Sequence, residues 1–168
     1  AELSIKALEG GCNVLCEKPM SINSDDCKRV MKAAEKSGKF FMTAHVVRFM
    51  KPYIYLKNVI KSAELGKLIR LDMKRLSSIP LWSWENWMRD ITKSGGVTID
   101  LSVHDIDFMQ SVLGTPETAD CVYYKMHENN DFVLSTFTYG DAIVTTEGAW
   151  YNCDYPFSAG FNAVFENG

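Results

Sequence analysis

Two short clusters of polar residues in this chain are of the types and spacing that do chemistry. The first is Glu17-Lys18-Pro19, directly after the apolar run from Asn13 to Cys16. Read as a parallel strand, that run places Lys18 at its carboxyl end, the edge where open α/β sheets bind ligands. An ammonium group there can contact a ribose or substrate hydroxyl, and it favours the alkoxide that forms as a hydroxyl is oxidised. Taken alone, the tripeptide is more often a surface lysine before a turn proline.

The second cluster is Asp100, His104, Asp105 and Asp107, read as one helix running from Gly95-Gly96 to Leu113. At i,i+4 spacing Asp100 and His104 share a helix face, with Cβ atoms about 6 Å apart. A histidine beside a carboxylate is the usual arrangement of a general base near neutral pH. Asp107, three residues on, can orient the imidazole or simply be solvated. Three acids and a histidine among Val97, Ile99, Leu101, Val103, Ile106, Phe108 and Met109 are costly unless satisfied or used. A plain helix ion pair or half of a metal site explains the same pattern.

The elements that must position these residues follow from the pattern. Residues 1–9 read as the end of an amphipathic helix closed by Gly10-Gly11. A helix capped by Ser24 runs to Gly38 on Val30, Met31 and Ala34, and a second strand spans Phe40 to Val46. Strand, helix and strand within about 35 residues is the size of a βαβ unit with a parallel pair. Pro52 then opens a helix with Ile54, Leu56, Val59 and Ile60 as core positions. Leu68 to Leu76 alternates as a half-buried strand with Ile69, Leu71 and Met73 on its apolar face. A Trp-rich connection covers 79–94, and strand candidates follow at 119–126, 131–138, 142–150 and 161–166. The expected fold class is α+β: the C-terminal part of a Rossmann-like βαβ unit (1–46), then an α/β domain with a mostly antiparallel open sheet (47–168). The chain starts inside a helix and stops at a turn between strands, so it reads as truncated at both ends.

Composition narrows the function classes. The net charge is -3 and Lys and Arg are scattered, so neither nucleic acid nor an anionic membrane is an expected partner. No stretch approaches the roughly 18 to 20 apolar residues of a membrane span, and with no basic region leading into an apolar run at Ala1-Glu2-Leu3 a signal peptide is not expected. Five irregularly spaced cysteines, with no zinc-finger spacing, point to reduced thiols in a cytoplasmic protein and to no metal site.

Taken together and in order, the motifs are more specific than either cluster. Glu17-Lys18-Pro19-Met20 follows Val14-Leu15-Cys16; Arg48-Phe49 and Pro52 come next; Leu65-Gly66-Lys67-Leu68 precedes a strand; and Gly95-Gly96 leads into Asp100, then His104-Asp105-Ile106-Asp107. Glu147-Gly148-Ala149-Trp150 and Pro156-Phe157 fit the later strands. The sequence resembles the glucose-fructose oxidoreductase / inositol dehydrogenase / rhizopine catabolism family over essentially its whole length. The resemblance implies that NAD or NADP is the cofactor and that a secondary alcohol of a sugar, sugar acid or cyclitol is the substrate. Lys18 would touch nicotinamide ribose and substrate, His104 would be the general base, and Asp100 would bind and orient substrate hydroxyls. Glu17 and Pro19 would shape the turn against the cofactor. Trp84, Trp87 and Arg89 lie where the family often places sugar or cofactor contacts, although tryptophans in a core are the plainer reading. Arg48 and His45 can line the same cleft, although a structural residue is the plainer reading of Arg48. Trp150 and Tyr151 can reach it from the sheet. His127, in a polar loop, reads as a surface residue. In the family the open sheet builds a homo-oligomer interface.

One departure matters. None of the 11 glycines forms the GxGxxG turn that cradles a pyrophosphate. About 80 preceding residues, on the scale of half a Rossmann domain, would carry that turn, so the chain by itself is expected to bind NAD weakly or not at all. Two further functions compete with a dehydrogenase: a glycosidase using transient oxidation, and a non-catalytic sugar- or nucleotide-sensing protein. A sensor has no need of the Lys18, Asp100 and His104 set.

Overall fold

The computed structural model describes the backbone of residues 1–127 and 130–168, and the side chains of all of these except 125–127 and 130. Glu128 and Asn129, and the side chain on which the surface reading of His127 rests, lie outside the described residues. The chain forms two compact units, Ala1–His45 and Val46–Gly168.

The first unit contains helix α1 (Glu2–Glu9), strand β1 (Val14–Glu17), helix α2 (Ser24–Ser37) and strand β2 (Phe41–Ala44). β1 and β2 pair in parallel, with Val14 opposite Phe41 and Glu17 opposite Ala44. The expected βαβ unit is therefore present. Its small core joins Leu8 of α1 to Val30 and Ala33 of α2. Met31 is exposed instead. The cap of α2 is Asn23 rather than Ser24: the Asn23 side chain accepts a hydrogen bond from the Asp26 amide at 2.8 Å. An asparagine in extended backbone is as good a cap as serine, and the acids at Asp25 and Asp26 suit the helix start in either frame. β2 is shorter than its apolar run, because Val46–Phe49 turns into a 3-10 helix that belongs to the second unit.

The second unit is a helical layer on a five-stranded sheet. Helix α3 (Lys51–Ser62) leads to strand β3 (Leu68–Ser78); a short helix α4 (Ile91–Ser94) and a π-helical turn (Val97–Leu101) lead to helix α5 (Val103–Leu113). Strands β4 (Thr118–His127), β5 (Asn130–Tyr139), β6 (Ala142–Tyr151) and β7 (Ser158–Phe165) complete the sheet, in the order β4-β5-β6-β3-β7. Only the β3–β6 pairing is parallel; the other three are antiparallel, as the fold class required.

α3 turns Tyr53, Leu56 and Val59 inward, whereas Ile54 faces solvent. A tyrosine can replace the aliphatic residue here because its hydroxyl finds a buried partner. In β3 a register irregularity between Leu68 and Arg70 turns Leu68 toward the core and exposes Ile69. Beyond it, Leu71, Met73 and Arg75 occupy the inner face at the period of two that a strand dictates. The main core packs Leu71 and Met73 against Tyr53, Leu56, Phe108, Met109 and Val144. A second cluster joins Ile79, Met88, Val97, Leu101, Val133 and Trp150.

Candidate active site

The stretch after Gly95-Gly96 is a π-helical turn followed by an α-helix rather than one continuous helix. Gly95 and Gly96 both sit at positive φ, and a side chain at either would collide with Ile99 or Asp131. The chain then widens: the Ser102 amide donates to the Val97 carbonyl at 2.9 Å, five residues back. Ser102 ends this turn and starts α5, its carbonyl accepting from the amides of Asp105 and Ile106 at 3.1 and 3.0 Å. Asp100 is carried by the π turn and His104 by the first turn of α5, so the i,i+4 geometry of a single α-helix does not apply to them. Single π turns inside helices are common at functional sites, where the extra residue re-aims side chains. Asp100 is buried and His104 half-buried.

The acids that follow have partners from other elements. Arg75 of β3 donates to both oxygens of Asp105, at 2.7 and 3.2 Å, and to the Tyr53 hydroxyl at 3.2 Å. Arg75 is 5% exposed and Asp105 is 1% exposed. Burial pushes the Asp105 carboxyl up, against the pull of Arg75, while the guanidinium is itself held above its usual value. We read the two as an ion pair, because a neutral Asp105 would leave a permanently charged guanidinium buried without its counter-charge. On the other side, Arg48 grips both oxygens of Asp107, with Nε 2.7 Å from one of them. That hydrogen bond raises the Arg48 pKa despite partial burial. Arg75 and Tyr53 went unnoticed among the sequence candidates. Their signal was there: Leu71, Met73 and Arg75 alternate on one face, and a charge on a buried face needs a partner.

The three tryptophans of the 79–94 connection do not form a core. Trp82 and Trp84 are 81% and 84% exposed, and Trp87 is also exposed, while Met88 and Ser94 point inward. Arg89 follows them, and its Nε is buried without a hydrogen-bond partner among the described residues. Glu85 and Asn86 between the tryptophans hold positive φ, a conformation that costs a non-glycine residue energy. Trp150 is the tryptophan of the core, and Tyr151 leans against Tyr155 with ring centroids 4.9 Å apart. In the first unit, Glu17 is the last residue of β1, so Lys18 and Pro19 emerge at the carboxyl edge of the parallel pair, as the motif requires. Among the described residues no cluster of His, Cys, Asp and Glu is arranged to hold a metal ion, and no helix is long and apolar enough to cross a membrane.

Comparison with known proteins agrees with this division. A family model described as "Oxidoreductase family, NAD-binding Rossmann fold" matches residues 1–45, and one described as "GFO/IDH/MocA C-terminal domain" matches residues 53–167. The 2,7-anhydro-N-acetylneuraminate hydratase of Escherichia coli (strain K12) is 30% identical over 125 residues, 70% of this chain and 32% of the relative. Inositol 2-dehydrogenase of Salmonella typhimurium is 26% identical over 179 aligned positions, 100% of this chain and 49% of the relative. The crystal structure of myo-inositol 2-dehydrogenase from Lactobacillus plantarum shares the fold, with a TM-score of 0.83 at 21% identity over 99% of this chain and 52% of that one. The chain thus spans about half the length of the relatives that it matches end to end. Because the C-terminal model runs from α3 through β7 and takes in the Asp100–His104 junction, the chain belongs to the GFO/IDH/MocA family of oxidoreductases.

Proposed function

We propose that the protein containing this chain is an NAD(P)-dependent oxidoreductase that transfers hydride between a nicotinamide cofactor and a secondary alcohol of a sugar, sugar acid or cyclitol. The observation that carries this reading is the Asp100–His104 junction: a buried acid on a π turn, then a half-buried histidine at the head of α5. The residues present suit the ribose end of a nicotinamide cofactor. Lys18, with Glu17 and Pro19, supplies a cation and a turn at the carboxyl edge of a parallel pair, where such ligands bind. When bound, the nicotinamide provides the hydride acceptor.

His104 takes the hydroxyl proton on its imidazole as the carbon–hydrogen bond breaks. Asp100 orients the substrate hydroxyls. The part given to Lys18 is an ammonium group that suits the nicotinamide ribose and favours the negative charge developing on an oxidised hydroxyl. Trp84 and Trp87 offer exposed rings to the apolar faces of a sugar, and Arg48 borders the same helix from Asp107. We further infer a cytoplasmic homo-oligomer. All five cysteines are free thiols, which suits a reducing compartment. The outer sheet face carries Val122 and Leu134 in one cross-strand row, with Ile143 and Val164 flanking Arg70 in another, an apolar and charged mixture that suits a partner.

Product analysis tests the reaction. The full-length protein is incubated with NAD or NADP and a panel of sugars, cyclitols and glycosides. Net accumulation of reduced cofactor with a ketone product supports a dehydrogenase. Free aglycone without it supports cleavage by transient oxidation, a reading not favoured by relatives named dehydrogenase and reductase. Binding without turnover of any substrate would point to a sensor.

A further inference from the structure

The residues flanking His104 are both held by arginines, and on opposite sides. An α-helix advances about 100° per residue, so Asp105 lies about 100° from His104 in one direction and Asp107 about 60° in the other. Arg75 reaches Asp105 from the sheet, and Arg48 reaches Asp107 from the 3-10 helix ahead of α3. Both contacts are two-pronged, which fixes orientation as well as distance. The inner arm is further pinned by Tyr53. Its hydroxyl accepts from Arg75, and its ring meets Phe108 and Phe161 edge-on at 5.0 and 5.3 Å.

A buried ion pair is an expensive way to obtain stability, since apolar residues of similar volume usually serve as well or better. This one lies next to a helix break. α5 begins at Ser102, after a π turn, so the helix does not inherit its rotation from a longer rod N-terminal to it. We propose that Arg75–Asp105–Tyr53 and Arg48–Asp107 together form a clamp that sets the rotation of α5 and so aims the His104 imidazole. Asp105, Asp107, Arg48, Arg75 and Tyr53 are then positioning residues. The catalytic consequence rests on the function proposed above; the aiming of the side chain does not.

The test is a double substitution that removes the buried charges but keeps the volume, Arg75→Met with Asp105→Leu, in the full-length protein. The clamp predicts thermal stability close to that of the wild type, the Tyr53 hydroxyl left without Arg75 offsetting the gain from removing the buried charges. Turnover falls at least ~10-fold with cofactor affinity within twofold, since displacements near 1 Å at a reacting group cost up to about 100-fold. A merely structural pair predicts that turnover follows stability, so a stable variant with wild-type turnover overturns the clamp. If the double variant fails to fold, Arg75→Lys, which keeps the charge but loses the fork, carries the same prediction for turnover. Imidazole NMR gives a second readout that needs no substrate. The His104 ring signal, assigned with His104→Gln, shifts or splits in the clamp variants while core methyl signals stay in place. A His104 signal identical to wild type overturns the proposal. A wild-type protein without oxidoreductase activity would sink the functional reading and leave the NMR result to decide the clamp.

Discussion

Ser102 lies directly over Gly148 of β6: a Cβ at position 148 would overlap the serine hydroxyl. The glycine lets the junction between the π turn and α5 settle onto the sheet, opposite Arg75 in the parallel β3–β6 pair. The Ser102 Oγ is also buried without a hydrogen-bond partner among the described residues. Gly148→Ala is therefore expected to cost about 1–3 kcal/mol, the range for overpacking a tight core. Ser102→Ala removes the overlapping atom and an unsatisfied hydroxyl, so alone it is neutral or stabilising, and in combination it rescues Gly148→Ala. Urea unfolding of the four proteins of this cycle measures the coupling; additive losses would contradict the contact.

The tryptophan segment makes a different prediction. Trp82 and Trp84 stand in solvent and Trp150 in the core. Trp82→Ala and Trp84→Ala should change stability by no more than about 0.5 kcal/mol, whereas Trp150→Ala should cost about 3–5 kcal/mol. If Trp84 and Trp87 stack on substrate, their alanine variants raise KM while leaving the melting temperature in place. Thermal melts and steady-state kinetics on the same samples check both statements.

The contrast between what the sequence disclosed and what it hid has a physical pattern. Local signals survived: the βαβ unit, the strand alternation of Leu71 and Met73, and the order of Gly95-Gly96, Asp100 and His104 are all written within a few neighbouring residues. Features that depend on partners distant in sequence were hidden. Arg75 and Asp105 are 30 residues apart, and Arg48 and Asp107 are 59 apart, so no window of the sequence joins them. The π turn was missed because its apolar residues keep a spacing that an α-helix also satisfies. The same ambiguity put Ile54 in the core, where the hydroxyl contact with Arg75 selects Tyr53.

Tyr123 offers a prediction about pH. Its pKa is pushed up to about 12, first by burial and then by the hydrogen bond that its hydroxyl donates to the Asp131 carboxylate at 2.9 Å. A folded-state pKa above the unfolded value means that the unfolded chain loses this proton first. The contribution is complete below about pH 10, the ordinary tyrosine range, and is lost as pH rises toward about 12. Tyr123→Phe should therefore flatten the alkaline fall in stability over that window. Denaturant titrations at several pH values detect it, and identical slopes for the two proteins would contradict the assignment.

Lys18 separates binding from chemistry. If its ammonium group touches both the ribose and the reacting oxygen, Lys18→Met in the full-length protein weakens cofactor binding and lowers turnover together. Isothermal titration and initial rates measure the two effects. A loss confined to binding would leave Lys18 as a cofactor contact only.

The central claim is that His104 is the base of a hydride-transfer site, and the rate of cofactor reduction by His104→Ala in the full-length protein tests it most directly. The substrate is the best sugar or cyclitol found for the wild type. The account predicts turnover lower by about 100-fold or more, in the range that a positioned general base contributes, with substrate and cofactor still bound. An unaltered rate would remove His104 from the mechanism and contradict the account.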